Sequence, residues 1–202
     1  MANENKFNPQ VVIEILKNGF SNFDFQRTVD IYKKLFAFNA DFWPQIKEES
    51  ISIKDFYEKY LVVLSVLSPI GTFILTSRLG TTDVTSRVIS LLIGYIALLA
   101  SPYLGALVIE KIASYFGGTC SRENAFKLIA YSMLPGLAVG ILFLFANMII
   151  AFITLAVSLC GLYLFWTGID VMVATPADKK LPFFITFIGV MIVINMFVSM
   201  LH

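Results

Sequence analysis

Charged residues cut this chain into apolar runs of membrane-crossing length. No Asp, Glu, Lys or Arg interrupts Tyr60 to Ser77 (18 residues), Val88 to Ile109 (22), Leu128 to Ile169 (42) or Leu181 to His202 (22). A helix rising 1.5 Å per residue crosses a hydrocarbon core of ~30 Å in ~20 residues. Three of the runs therefore predict one span each. As a single helix, the 42-residue run would overhang the bilayer by tens of ångströms, so it reads as two spans and a tight turn. Asn147, in LFANMII, is best placed for that turn. The pattern predicts an all-α polytopic membrane protein with five transmembrane helices and a cytosolic N-terminal helical segment. The division is residues 1–54 for the segment and 55–202 for the membrane part.

Ahead of the first span the apolar positions thin out and take helical spacing. Asn8 before Pro9 has the form of a cap and a first helical residue. Val12, Ile15, Leu16 and Phe20 then share one face, with Gly19 near the end of the helix. Phe25, Val29, Tyr32 and Phe36 repeat the spacing. Ser52 with Asp55 forms a capping box that opens a helix running into the first span. Three readings of these amphipathic helices stay open. They pack on the loops of their own chain, lie on the membrane aided by Lys33 and Lys34, or bind a partner.

Composition agrees with lipid as the main solvent. Hydrophobic residues make up 57% and charged residues 14%, where a soluble domain carries ~25% charged. The net charge of +1 gives no basic field for nucleic acid. The polar opening MANENKFNPQ leads into no early apolar core with a cleavage site, so no removable leader is expected. Charge placement sets orientation. Lys6, Lys17, Arg27, Lys33, Lys34, Lys47, Lys54 and Lys59 precede the first span. Lys111, Arg122 and Lys127 follow the second span, and Lys179 and Lys180 follow the fourth. Only Arg78 and Arg87 fall on the other side. This predicts a cytosolic N-terminus and an outside C-terminus.

The chain has two cysteines, Cys120 and Cys160, and one histidine, His202. A Cys/His zinc site needs about four ligands, or three plus water, so no metal or other cofactor is expected. Cys120 falls on the reducing side, which argues against a structural disulfide. No nucleophile with its base is apparent, and no catalytic residue is assigned.

Ionisable groups at membrane depth are costly and often functional. Glu110 and Lys111 end span two, Tyr131 and Ser132 lie a turn past Lys127, and Asp170 lies near the end of span four. All five fall at one depth on the cytosolic side, where antiparallel neighbours can bring them together. The functional reading is a binding site facing the cytosol. The alternative is stabilisation, with Asp170 paired by Lys111 or a tyrosine hydroxyl. Pro69 and Gly71, Pro102 and Gly105, Pro135 and Gly136, then Gly140, Gly161, Gly168 and Gly189 punctuate the spans. They serve either close packing or hinges. Gly136 and Gly140 share a face, and span four is expected to rest on that strip.

Particular strings carry a resemblance. Span one has SPIGTFI from Ser68, residues 116–140 read FGGTCSRENAFKLIAYSMLPGLAVG, and span four exits through CGLYLFWTGIDVMVATPADKK. These resemble the Yip domain family of Ypt/Rab-interacting proteins, in its bacterial inner-membrane branch. The family's aromatic-Ser-x-x-Pro element matches Tyr131, Ser132 and Pro135. Its glycine after a Tyr-rich stretch matches Gly168, and its proline-then-glycine element matches Pro69 and Gly71. The resemblance covers roughly residues 55–202. It implies five spans, a cytosolic N-terminus and a non-enzymatic protein that organises partners or membranes. The acidic-aromatic motif of eukaryotic members is missing from VLSVLSPIG, so Rab-type GTPase binding is not carried over. A membrane scaffold or adaptor is the first functional class. Its partners would be the lipid bilayer, membrane or cytosolic proteins, and further copies of the chain. A small transporter or channel is the second, supported by the Pro/Gly-broken spans and the Glu110–Tyr131–Asp170 layer.

Overall fold

A computed structural model describes residues 9–37, 39, 41–80, 83–145 and 148–199, and among these there is helix but no strand. Five helices are long and apolar enough to cross a membrane: Ile53–Leu79, Val84–Phe116, Arg122–Leu142, Met148–Met172 and Ala177–Phe197, here spans one to five. The 42-residue run divides as expected, with a 3-10 stretch over Gly140–Phe145 before span four opens at Met148. Asn147, expected at the turn, lies outside the described residues, as do Asn8 and His202.

Local chemistry sets the helix ends. Ser52 caps span one as its capping box requires, its hydroxyl accepting from the Asp55 N–H at 3.1 Å. A π-helical turn, Tyr57–Leu61, interrupts the first part of this span. The span ends at Gly80, whose φ of +62° suits a residue without Cβ. Asp83 caps span two through the Ser86 N–H at 3.0 Å, and Ser121 caps span three through the Asn124 N–H at 3.2 Å.

Three short helices precede the bundle: α1 (Pro9–Ser21), α2 (Phe25–Phe36) and α3 (Phe42–Glu48). They pack on the end of the bundle where span one begins, called here the near end. In α1 the closest approach is made by Gly19, where a Cβ would lie 2.5 Å from that of Val62 in span one. On the face shared by Val12, Ile15, Leu16 and Phe20, Val12 and Phe20 are exposed. In α2 the expected stripe of Phe25, Val29, Tyr32 and Phe36 is not the one buried in protein. Thr28, Ile31 and Leu35 are. The Thr28 hydroxyl donates to the Asp24 carbonyl at 2.6 Å, which lets a polar residue enter the core at little cost.

One hydrophobic core unites these elements and runs through residue 54 without a break. Ile31, Leu35, Phe42, Trp43, Ile46 and Ile51 share it with Phe56 and Tyr60 of span one, and with Phe126 and Tyr131 of span three. The Phe56 and Tyr131 rings meet at 4.9 Å, and Phe42 meets Tyr131 edge-on at 6.0 Å.

Glycine contacts correct one expectation. A Cβ on Gly136 would meet nothing within 4 Å, and one on Gly140 would strike Ser68 of span one at 2.6 Å. The two glycines therefore form no strip for span four. Spans three and four close on each other through glycines of span four instead. A Cβ on Gly161 would lie 2.7 Å from the Ser132 carbonyl oxygen, and one on Gly168 would lie 2.4 Å from Leu128 and 2.7 Å from Trp43. The physical reason lies in rotation: Gly140 turns toward span one, leaving the Leu128–Ser132 face of span three for span four.

Candidate functional site

The five polar residues expected to form one layer are divided among separate clusters. Glu110 takes a salt bridge from Arg122, with Nε to Oε2 at 2.8 Å, and this clamps the end of span two to the start of span three. Lys111 is exposed. Asp170 is held by neither Lys111 nor a tyrosine. Its partner is Lys180 of span five, with Nζ to Oδ2 at 2.6 Å. The short connection after span four, with Ala174 at φ 51°, brings span five back beside the end of span four. Lys180 also sits 4.4 Å from the centroid of the Trp166 ring. The Tyr163, Trp166, Asp170 face thus contributes a cation–π partner as well as a carboxylate.

Tyr131 leads to the richest cluster. Its hydroxyl donates to Glu49 Oε2 at 2.7 Å, and the Arg27 guanidinium bonds the other oxygen of the same carboxylate. Lys127 is buried and donates to the backbone carbonyls of Glu49 and Lys47. Glu49 therefore ties α2, the end of α3 and span three together. The burial of Arg27 alone would lower its pKa, but Tyr60 and Glu49 beside it, with the Glu49 hydrogen bond, tip the balance upward. The guanidinium stays charged. Neither Glu49 nor Arg27 was singled out by the sequence. Both stand in stretches read only for apolar spacing, and their partners lie far along the chain.

Further anchors fix the shelf formed by α1–α3. The Trp43 indole N–H donates to the Thr167 hydroxyl at 3.1 Å, and Lys47 Nζ donates to the Val171 carbonyl at 2.7 Å. The Tyr32 hydroxyl donates to the Leu134 carbonyl at 2.7 Å, and burial raises its pKa. A cleft of about 600 Å³ opens between α2 and α3, walled by Arg27, Asp30, Lys34, Gln45 and Glu49 over Phe42. It is amphoteric, with cations from α2 facing a carboxylate from the end of α3.

Other polar groups are buried with no hydrogen-bond partner among the described residues: the hydroxyls of Tyr60, Ser65, Ser132 and Thr175. Ser132, expected in the polar layer, is thus within the bundle but bonded to none of the other four. Pro69 and Gly71 are buried in span one, and Pro135 is buried in span three. Cys120 and Cys160 are both free thiols, and burial pushes the Cys120 thiol up to about 12.

Comparison with curated proteins and with solved structures returns no match. A family model does match, over residues 33–199, so it begins inside α2 and takes in α3 with all five spans. With that match covering most of the chain, this integral membrane protein belongs to the Yip1 domain family.

Proposed function

We propose that the protein is a non-enzymatic membrane scaffold whose near end, on the cytosolic side, holds a rigid docking shelf for partner proteins. The observation that supports this reading is the Arg27–Glu49–Tyr131 junction, which fixes α2 and α3 to span three. Together with the Trp43 anchor on span four, it holds the charged cleft in one shape. A preorganised surface costs less entropy to bind than a loose one. In this reading residues 1–54 supply the shelf and residues 55–202 the membrane base. The protein sits in the inner membrane of a bacterium, N-terminus in and C-terminus out, alone or as a homo-oligomer.

Affinity capture from native membranes tests the scaffold. The chain should bring down a recurrent protein partner, and Lys34→Glu with Gln45→Arg should lose it while the fold is kept. A catch free of recurrent protein, or one indifferent to both changes, would remove the shelf as a docking surface.

Transport is the second reading, favoured by the unpartnered buried hydroxyls of Ser65 and Ser132 inside the Pro- and Gly-broken bundle. Solute flux in proteoliposomes, reduced by Ser65→Val with Ser132→Val, would support it. Here the Glu110–Arg122 and Asp170–Lys180 pairs serve as gates at the near end.

A further inference from the structure

Helix α2 lies at the depth where the spans lose their charges. At its start, the Asp24 N–H donates to the carbonyl of Lys59, the last charged residue before the uncharged run of span one. Two turns on, the Tyr32 hydroxyl reaches the carbonyl of Leu134, which lies six residues inside the uncharged run of span three. At 1.5 Å per residue, that carbonyl is roughly 9 Å beyond the charge boundary. In-plane amphipathic helices seat their apolar face ~5–10 Å into the headgroup and acyl boundary.

The arrangement of side chains around α2 fits that position. With 3.6 residues per turn, its positions fall into three sectors. Thr28, Ile31 and Leu35 face the protein core. Phe25, Val29, Tyr32 and Phe36 form a second sector, in which Phe25 is 68% and Phe36 43% exposed. Arg27, Asp30 and Lys34 lie roughly opposite the aromatic sector, with Lys33 at its edge. Lys33 holds only an exposed pair with Asp30 at 3.3 Å, which solvent and salt weaken. Lys34 has no ion pair among the described residues.

We infer that α2 is an in-plane helix of the near leaflet, its Phe25–Phe36 face against acyl chains and Lys33 on the phosphates of anionic phospholipid. This goes beyond the scaffold reading and does not depend on it, since it concerns the lipid facing α2 rather than any partner in the cleft. The hydroxyl of Tyr32 fixes the tilt: it turns the aromatic sector toward the hydrocarbon, which leaves the charged sector facing water. Lys33, on the boundary between the sectors, reaches the headgroup layer with its stem along the apolar face.

The test uses the full chain with both native cysteines replaced by alanine, reconstituted in vesicles of phosphatidylcholine and phosphatidylglycerol. A nitroxide is attached at Phe25→Cys or Phe36→Cys, and another at Asp30→Cys. Labels at Phe25 and Phe36 should relax with dissolved oxygen and be shielded from a water-soluble nickel chelate, and the label at Asp30 should show the reverse. Nickel access at both phenylalanine positions would put that face in water and overturn the inference. Shielding from both reagents would put a protein surface there, a second copy or another chain, and would equally overturn it. The phosphate half is read from phosphatidylglycerol retained over phosphatidylcholine on the purified protein. Lys33→Gln should cut that preference about fivefold, leaving the labels' depth unchanged. Unchanged retention would overturn the headgroup assignment.

Discussion

The two halves of the bundle are built on different terms. In span four, Leu164, Phe165, Gly168, Ile169 and Met172 at the near end are buried, whereas Met148, Ile149, Phe152, Leu155 and Leu159 toward the far end are exposed. Span five repeats this, with Phe183 and Phe187 buried and Ile192, Val193, Met196 and Phe197 exposed. Span two does so in the opposite chain direction, with Ala106 and Ile109 buried and Val88, Ile89 and Leu92 exposed. Lipid tails are as apolar as leucine, so nothing drives apolar side chains together in the far half. The near half carries polar groups that lipid cannot satisfy, and pairing them draws the helices in. Tyrosines do much of this. The Tyr57 hydroxyl donates to the Leu99 carbonyl at 2.7 Å and the Tyr95 hydroxyl to the Val62 carbonyl at 3.0 Å, both between spans one and two. Cohesion in this molecule is thus concentrated at the near end, where the hydrophobic core and the paired polar groups coincide.

If the contrast holds, substitutions at the near end should dominate stability in detergent. Gly168→Leu drives a side chain into Leu128 and Trp43, and its cost should be about 2–3 kcal/mol, read as a lowered unfolding temperature. Glu49→Ala leaves the buried Tyr131 hydroxyl without its partner and removes a screened pair with the half-exposed Arg27, a loss of about 1–2 kcal/mol. A Glu49→Ala protein as stable as the parent would show that the shelf is held by packing alone. Asp170→Asn should cost less, about 0.5–1 kcal/mol. Its carboxylate is 56% exposed, so water screens the pair. Lys111→Leu, with no role in that pair, should be neutral by the same measurement. Smallest of all should be Gly136→Leu and Phe152→Ala, within ~0.5 kcal/mol, because open space surrounds the first and the second is exposed. A clear loss from Phe152→Ala would mean that the far half is covered, for instance by a second copy, and would end the contrast.

The spans were legible because charge in a bilayer is rationed, so the uncharged runs mark them with little ambiguity. The capping box at Ser52 was legible for the same local reason. Depth was readable too: Glu110, Tyr131 and Asp170 all lie toward the near end. Which residue meets which was not. Asp170 finds Lys180, ten positions on, because a tight turn folds span five against span four, and charge counting registers only that both lie on one side. Which face of α2 enters the protein core was not legible: Thr28, Ile31 and Leu35 do, rather than the stripe of Phe25, Val29, Tyr32 and Phe36. Spacing alone does not distinguish a face that meets protein from one that meets lipid. Glu49 was overlooked because its partners, Arg27 and Tyr131, stand 22 and 82 residues away.

The anchor of Trp43 on Thr167 spans 124 residues, and this has a consequence for synthesis. The N-terminal helices leave the ribosome first, but the groove that receives Trp43 is complete only when span four has been made and inserted. At ~5–20 residues per second, that interval is roughly 6–25 s. Throughout it Trp43 lacks the Thr167 and Gly168 surface that receives it. A membrane surface close to the translocation site would shelter this side chain until span four arrives. The same amphipathic character that seats α2 in the finished protein would then act earlier, as a holding position during assembly. Truncation after span three should leave the Trp43 helix unanchored and open to protease, while extension past Met172 should close it.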